Sequence, residues 1–309
     1  MKRIEFELKP ERPYSLSRTA ARLVRFTEVV DRMDPDGQHR RCLHLNGKLA
    51  LMSVVQSGSA ARAILHIQLI GEAVDDPASR VAAERVVRQS LGAGCKLRPF
   101  YRAFGDDPLL AASIRSHQGM SLCGGATLFE AILTSILAQQ VNLKFAYSIY
   151  EALTRRYGER LEVDGETFIA FPTPARIARI RETSLRNFKL SGAKAGAIRR
   201  IARAFATREL EESELDRLAD EEVIERLIAY KGIGRWTAET SMMRGLGRVD
   251  IFPAGDLGVI KKIAVEMLGR TEKVTEAEMR EFSERWRPHR SLALIYAYAT
   301  LYSTDKTDK

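Results

Sequence analysis

The chain has 309 residues, of which 45% are hydrophobic and 29% are charged, and this composition excludes a disordered or low-complexity protein. Its 49 basic and 40 acidic residues give a net charge of +9, which suits a polyanionic partner without choosing among nucleic acid, a membrane surface and simple solubility. The three cysteines, Cys42, Cys95 and Cys123, are widely spaced and form no Cys-x-x-Cys pair, so they indicate neither a disulfide framework nor a zinc site.

Residues 1–100 carry the patterns of a small α/β domain. Apolar positions that alternate with polar ones predict strands, and Asn-Gly is typical of a two-residue hairpin. In chain order we expect a strand at Ile4, Phe6 and Leu8, a helix over residues 14–30, strands over 41–45 and 48–55 around Asn46-Gly47, a strand over 63–70, and a helix from Asp76-Pro77 to about Leu91. This order predicts an antiparallel sheet packed on helices.

Beyond Gly92 the strand patterns stop and helical patterns take over, so residues 101–309 are predicted to be all-helical. Thr127 and Glu130 have the spacing of a capping box before an apolar helix, and Asn142 is a good N-cap for the next helix. Further helices are predicted over residues 175–182, 193–207, 220–230, 235–244, 257–268, 276–285 and 288–302, with Pro288 in the first turn of the last one. The fold class is therefore α+β.

The two ends of the chain bear on where the protein works. Met1-Lys-Arg runs straight into the first strand pattern, with no secretory signal. The apolar run from Leu292 to Tyr302 is too short to span a bilayer. We therefore expect a soluble, cytoplasmic protein that does not bind a membrane.

Gly232 and Gly234 predict a tight hairpin between two helices. Because glycine has no Cβ, the chain turns sharply there and its backbone N–H groups come close to a ligand. The following helix begins near Arg235 and Thr237, and its free N–H groups and dipole favour a phosphate. Lys231 and Arg235 add positive charge. We assign these five residues, Lys231, Gly232, Gly234, Arg235 and Thr237, to a phosphate contact.

Asp256 lies 20 residues beyond Trp236, far enough for a helix and a return loop to bring its carboxylate back beside the hairpin. An aspartate before an apolar helical run more commonly serves as the N-cap of that helix. The two interpretations are compatible, and both are kept at this point.

The run Tyr230-Lys-Gly-Ile-Gly-Arg-Trp-Thr-Ala238 with Asp256 resembles the helix-hairpin-helix DNA glycosylases, and within them the 3-methyladenine DNA glycosylase II type. The resemblance covers almost the whole chain, through Pro13-Tyr14, Phe129-Glu130, Ile136–Val141, Leu190–Ala195 and Arg285–Ser291. It implies a TATA-binding-protein-like N-terminal sheet domain followed by a helical glycosylase domain. It also implies a monomer that acts on double-stranded DNA with alkylated bases.

The resemblance assigns roles to the residues of the hairpin and its surroundings. Asp256 would stabilise the oxocarbenium-like sugar and orient or deprotonate the attacking water. Trp236 stands where strand-cleaving relatives carry a Schiff-base lysine, which favours a monofunctional hydrolase. Gln140 matches the side chain that fills the gap left by the flipped base, and Gln139 the edge of the base pocket. For both glutamines, a role as solvated linker residues stays open.

The predicted base pocket departs from the family pattern. His289 stands where a stacking tryptophan is expected, Arg22 where an aromatic residue is expected, and Thr240 and Leu257 replace bulkier residues. These substitutions predict a pocket with few aromatic rings, and a solvent-facing role for His289 stays open. No cofactor is required; the resemblance implies only a monovalent cation, held by the backbone carbonyls of Ile228, Tyr230 and Ile233.

Two other functions are compatible with a hairpin of this kind. A bifunctional glycosylase and lyase for oxidised bases would need a lysine in place of Trp236. A non-catalytic helix-hairpin-helix DNA-binding protein would need no carboxylate at Asp256. The residues therefore favour a monofunctional glycosylase that releases 3-methyladenine and 7-methylguanine from duplex DNA and leaves an abasic site, without ranking the two bases.

Overall fold

The structure is a computed structural model that describes the backbone of residues 1–304 and the side chains of residues 1–299. The strands are β1 Arg3–Leu8, β2 Asp31–Met33, β3 His39–Leu45, β4 Lys48–Ser57, β5 Ile64–Gly71, β6 Arg160–Val163 and β7 Glu166–Ile169. The α-helices are α1 Leu16–Ala20, α2 Ala78–Ser90, α3 Leu97–Phe104, α4 Ala111–Ser116, α5 Leu128–Ala138, α6 Leu143–Tyr157, α7 Pro174–Ala178, α8 Glu182–Arg186, α9 Gly192–Ala206, α10 Glu212–Leu215, α11 Asp220–Ile228, α12 Arg235–Ser241, α13 Glu276–Ser283 and α14 Arg290–Thr304. Within residues 1–304, no helix is both long and apolar enough to cross a membrane.

The N-terminal sheet is antiparallel, with strand order β1-β5-β4-β3-β2. Its β3–β4 hairpin turns at Asn46 and Gly47, whose φ angles of 50° and 81° are those of a type I′ turn, and Leu45 pairs with Lys48 across it. One face of the sheet packs on α1 and α2 through side chains such as Leu65, Leu69 and Val87. The predicted α+β class and the antiparallel sheet are confirmed.

The segment 14–30 departs from the predicted long helix. Helix α1 ends at Ala20 and the chain continues in turns to β2. Leu16 and Ala20 pack in the core of the sheet, whereas Val29 and Val30 are buried in the core of the helical region. The segment has to cross from one core to the other, which a single straight helix does not do.

Strands β6 and β7 contradict the expectation that residues beyond Gly92 are all-helical. They form a hairpin around Asp164 and Gly165, with φ angles of 52° and 84°. Leu161, Val163 and Phe168 pack on the face of the large sheet opposite its helices, against residues such as Leu51. The signal was present in the sequence, since Asp-Gly between alternating residues is a hairpin pattern.

A buried ion cluster also joins the sheet to the helical region. Arg41 on β3 pairs with Asp31 at 2.7 Å and with Glu130 on α5. Glu130 accepts in addition from Tyr150 Oη at 2.8 Å. Thr127 caps α5 as expected, but the Glu130 carboxylate is taken up by this cluster and does not close the capping box. Because these contacts tie both parts together, the division near residue 100 stays a prediction.

The helix predicted over residues 175–182 is shorter, because α7 ends at Ala178 and α8 begins at Glu182. The other predicted helices are present at their places, with two differences at the C-terminal end. Met242–Leu246 and Val259–Met267 are π-helical, with wider turns than an α-helix. Pro288 lies before α14, which begins at Arg290, so its predicted place in the first turn is wrong.

Candidate active site

The hairpin runs from the end of α11 at Ile228 to the start of α12 at Arg235. Gly232 has a φ of 99°, and a Cβ added there would lie 2.6 Å from the Cβ of Ala197 on α9. Both the backbone angle and the packing therefore require glycine. Gly234 has a φ of −99°, and its added Cβ would meet nothing within 4 Å. Open space thus lies in front of the first residues of α12.

Arg200 and Gln139 donate hydrogen bonds to carbonyl groups of the hairpin, and Lys194 donates to the backbone of Gln139. Arg200 on α9 donates to the carbonyl oxygen of Lys231 from Nε at 3.1 Å and from Nη2 at 2.7 Å. Gln139 Nε2 donates to the Gly232 carbonyl and to Thr237 Oγ1, both at 3.0 Å. Lys194 Nζ in turn donates to the Gln139 carbonyl at 2.7 Å. The turn after α5 and the hairpin are therefore fixed to each other.

This arrangement refines the roles predicted for the two glutamines. Gln139 is occupied in bracing the hairpin and does not line the cavity described below. Gln140 is exposed, with a φ of 55° that few non-glycine residues adopt. Its side chain stands at the tip of the turn, beside the hairpin. The predicted wedge role of Gln140 is compatible with this position and stays a prediction.

The residues assigned to a phosphate contact differ in their exposure and in whether their side chains are already paired. Lys231, Gly232 and Gly234 are exposed. Arg235 is also exposed, but it pairs with Glu221 at 2.6 Å and with Glu239 at 3.0 Å. Thr237 is buried and its hydroxyl accepts from Gln139, so its side chain does not reach a phosphate. Lys231 and the first N–H groups of α12 are left as the donors of this surface.

Asp256 is held by three donors. The indole Nε1 of Trp236 donates to its Oδ2 at 2.7 Å, and the backbone N–H groups of Gly258 and Val259 donate to its Oδ1 at 2.7 and 3.2 Å. The second pair of bonds is the N-cap geometry of a helical run that begins at Leu257 and continues as the π-helix Val259–Met267. Asp256 therefore lies beside the hairpin and caps a helix at the same time, so the two interpretations of this residue hold together.

A cavity of about 610 Å³ lies between the segment after α1, helices α5 and α6, and α14. Tyr298 on α14 lines it and connects it to the carboxylate. A Cβ added to Gly258 would lie 2.9 Å from Asp256 Oδ1 and 3.2 Å from Tyr298 Oη. The carboxylate, Gly258 and Tyr298 are thus neighbours, and Tyr298 separates Asp256 and Trp236, which do not themselves line the cavity, from its interior.

Contrary to the sequence-based expectation, the cavity is rich in aromatic rings. Phe26, Tyr147, Tyr150 and Tyr298 line it, and Phe26 stacks on Tyr147 with ring centroids 5.2 Å apart. Arg22 lines the cavity as predicted, although from a turn and not from a helix. The sequence showed Tyr150 only as an inward residue of α6. Its contribution to a cavity depends on contacts between distant segments, which spacing along one helix does not reveal.

His289 does not join this site. Its ring packs edge-on against Phe100 and Phe104, with centroids 6.0 and 6.4 Å away, and it lines a second cavity of about 740 Å³. Burial lowers the pKa of His289, and Asp250 acts against that shift. The expected stacking role of His289 is therefore corrected, because the aromatic side chain that α14 brings to the base cavity is Tyr298.

Thr240 and Leu257 do not line the base cavity either. Thr240 is buried in α12, and its hydroxyl oxygen has no hydrogen-bond partner among the described residues. Leu257 is 76% exposed, directly beside Asp256. The side chain of Leu257 therefore lies outside the cavity, where an approaching macromolecule rather than the base would meet it.

The carbonyl groups predicted to hold a cation lie at the end of α11 and in the hairpin. The Tyr230 carbonyl accepts from Ile233 N–H at 3.0 Å and keeps its second lone pair. The neighbouring carbonyls of Lys231 and Gly232 are taken by Arg200 and Gln139. Helix ends leave carbonyls without partners at the negative end of the dipole, so the donor set fits a cation that prefers oxygen.

The sequence of this chain is similar to those of known DNA repair proteins. The model of the HhH-GPD superfamily base excision DNA repair proteins matches residues 133–288. A DNA-3-methyladenine glycosylase of Bacillus subtilis is 35% identical over 206 residues, which are 67% of this chain and 68% of that protein. The DNA-3-methyladenine glycosylase 2 of Escherichia coli is 32% identical over 182 residues, 59% of this chain and 61% of that protein.

Solved structures share the fold. The 3-methyladenine DNA glycosylase from Archaeoglobus fulgidus superposes with a TM-score of 0.81 at 24% identity, over 98% of this chain and 99% of that one. A Schizosaccharomyces pombe 3-methyladenine DNA glycosylase in complex with abasic DNA superposes with a TM-score of 0.54 at 26% identity, over 65% of this chain and 95% of that one. The first match extends the likeness to the N-terminal sheet.

Proposed function

The chain belongs to the HhH-GPD superfamily of base excision DNA repair proteins, and on that premise we propose that it hydrolyses the N-glycosidic bond of alkylated purines in duplex DNA. The substrates are 3-methyladenine and 7-methylguanine, and the product is an abasic site. The observation that carries the proposal is the Asp256 carboxylate, hydrogen-bonded to Trp236 of the hairpin motif and next to Tyr298 in the cavity wall.

Asp256 acts mainly through its charge. Departure of the base leaves a cationic, oxocarbenium-like sugar, and a fixed negative charge beside it lowers the energy of that transition state. Three donors fix the orientation of the carboxylate before the substrate arrives. Methylation makes the leaving purine cationic and weakens its bond to the sugar. A single well-placed carboxylate, with an oriented water, is then sufficient without a general acid.

Trp236 makes the reaction a hydrolysis and not a strand cleavage. A lyase needs an amine to form a Schiff base with the sugar, and an indole cannot do this. The Trp236 N–H is moreover already engaged with Asp256 Oδ2. We therefore assign water as the nucleophile and expect the DNA strand to remain intact.

The DNA contacts follow from the exposed parts of the hairpin. Lys231 and the N–H groups that begin α12 bind a phosphate, and Gln140 fills the stack after the base has flipped into the cavity. The carbonyls of Ile228, Tyr230 and Ile233 would hold a monovalent cation, whose charge would favour binding of a phosphate at the hairpin. The chemistry itself needs no cofactor, and the protein acts as a monomer in the cytoplasm.

Mass spectrometry of the bases released from methylated duplex DNA by the purified protein tests the proposal. We expect 3-methyladenine and 7-methylguanine above the spontaneous background, with strands that break only after alkali or heat. Borohydride should trap no covalent complex on an abasic substrate. A trapped adduct would establish the bifunctional alternative, and DNA binding without release of any base would establish the non-catalytic one.

A further inference from the structure

The Arg22 guanidinium lacks a protein partner in the base cavity. Arg22 is half-buried, and its Nη1 is fully buried without a hydrogen-bond partner. Across residues 1–299, whose side chains the structure describes, the side chain of Arg22 makes no hydrogen bond or ion pair. A buried charged donor without an acceptor is costly, because it has lost its hydration and gained nothing in return. An acceptor carried by a ligand in the cavity would remove this cost.

The acidic residues of the same cavity do not form ion pairs with Arg22. Asp31 and Glu130 also line the cavity, but both are paired with Arg41, and Asp31 accepts in addition from His39 at 3.0 Å. The negative charges of Asp31 and Glu130 are thus compensated by Arg41 and not by Arg22.

Neighbouring groups place Arg22 within the cavity wall. Burial raises the pKa of the Cys123 thiol, and the positive charges of Arg22 and Arg244 act against that rise. Arg22, Cys123 and Arg244 all line the cavity. Four arginines therefore line the space that also contains the aromatic rings, namely Arg18, Arg22, Arg25 and Arg244.

We infer that Arg22 is a specificity-determining residue that donates a hydrogen bond to the 6-oxo group of an extruded purine, so that the cavity favours methylated guanines over methylated adenines. The inference rests on the proposed function and concerns the same site. Guanine carries an acceptor at position 6, where adenine carries an amino donor. Arginine has five donors and no acceptor, so it pairs with the first and opposes the second.

Charge repulsion does not decide between the two purines. A guanine and an adenine methylated at the same ring nitrogen carry the same positive charge, so Arg22 repels both equally. The repulsion cancels in the ratio of their rates, and the hydrogen bond at position 6 remains. A site that hydrogen-bonds a substrate group discriminates strongly against an analogue that lacks it, because its own polar group is then left unpaired.

The test compares bases with matched methyl positions, released from one sample of methylated duplex DNA under single-turnover conditions. The pairs are 7-methylguanine with 7-methyladenine and 3-methylguanine with 3-methyladenine, quantified by mass spectrometry after subtraction of spontaneous release. We expect wild type to favour the guanine in both pairs. Arg22→Met should reduce both guanine-to-adenine ratios by about ten-fold, the effect of one hydrogen bond to a charged group.

Two further variants make the result specific. Arg18→Met is the matched control, because Arg18 lines the same cavity but donates to the Gln118 carbonyl at 2.6 Å. It should leave both ratios unchanged. Arg22→Gln, whose amide accepts as well as donates, should shift both ratios toward the adenines, and it keeps the inference testable if Arg22→Met fails to fold.

The outcomes separate this inference from the proposed function. Unchanged ratios in an active Arg22→Met protein would overturn the inference alone. An equal loss of all four bases, together with weaker binding to undamaged DNA, would also overturn it and assign Arg22 to the DNA backbone. Release of none of the four bases by wild type would overturn the proposed function, and the inference with it.

Discussion

The hairpin and the base cavity are built in opposite ways. The hairpin and its helix start occupy one short run, Lys231–Thr237, and the groups that hold them do so through a few named hydrogen bonds. The cavity collects residues from the segment after α1, from α5, α6 and α14, and from Arg244. The reaction chemistry of this fold is thus encoded locally, whereas recognition of the base is distributed over more than two hundred residues.

The difference predicts how each region responds to substitution. A change in the hairpin or at Asp256 removes a group that has no substitute, so activity should fall steeply. A change in the cavity alters one wall among several, so the preference among bases should shift before activity is lost. The following variants test this contrast, beginning with the largest effect.

Asp256→Asn should abolish base release while DNA binding persists. The amide has the shape of the carboxylate but lacks its charge, and loss of one such electrostatic group costs on the order of a thousand-fold or more in kcat. Single-turnover release from methylated DNA measures the loss, and a gel shift with undamaged duplex measures binding. Near-normal release of 3-methyladenine by this variant would remove Asp256 from the mechanism.

Gly232→Ala and Gly234→Ala form a matched pair within the hairpin. Gly232 has a positive φ and an added Cβ would meet Ala197, so this variant should lose on the order of 2 kcal/mol of stability together with DNA affinity. Gly234→Ala meets nothing within 4 Å and should fold normally.

The two glycine variants differ in what their DNA affinity reports. In Gly234→Ala alone, a loss of DNA affinity would not be accompanied by a loss of stability. Thermal unfolding and titration with duplex DNA distinguish the cases. If Gly234→Ala is as stable as wild type and binds DNA equally well, the phosphate does not approach this glycine. Equal stability of the two variants would show that the contact with Ala197 does not require a glycine at position 232.

The contrast also explains how much the sequence could predict. The antiparallel sheet, the hairpin and the return of Asp256 to the side of the hairpin follow from local patterns, namely alternation, Gly-x-Gly and the return loop. Tyr298 was missed because it follows His289, which lies just before α14, by nine residues, and only the packing of this segment shows which of the two faces the cavity.

Two other differences have a similar origin. The carboxylate of Glu130 was expected to close a capping box at the Thr127 N–H, but it accepts instead from Arg41, from Tyr150 and from the Ala126 N–H. The β6–β7 hairpin, in contrast, carried a recognisable Asp-Gly turn and could have been predicted. Local signals therefore place most strands and helices, whereas the end of α1 at Ala20 and the partners of Glu130 depend on distant segments.

Trp236→Phe should reduce kcat by about ten- to hundred-fold with little change in DNA affinity. The variant keeps an aromatic ring but removes the donor to Asp256 Oδ2, so the carboxylate loses one of its three restraints. Trp286→Phe is the control, because Trp286 is fully buried against Phe252 and Phe282 and its Nε1 has no partner among the described residues. That control should lose stability and keep kcat. Equal kcat in both variants would show that the indole does not position Asp256.

His289→Phe should have the smallest effect on base release, because the ring packs against Phe100 and Phe104 away from Asp256. The acid limbs of the rate profiles of wild type and variant should superimpose after subtraction of spontaneous depurination.

The stability of wild type and of His289→Phe should instead depend differently on pH. Burial lowers the pKa of His289 below its ordinary value of 6.5, so the unfolded chain binds the proton more readily. The stability contributed by neutral His289 is complete above that pH and is lost as the pH falls through the lowered pKa. Chemical denaturation of wild type between pH 7 and pH 5 should show a decline that His289→Phe lacks, and a steeper acid limb for base release in wild type would return His289 to the active site.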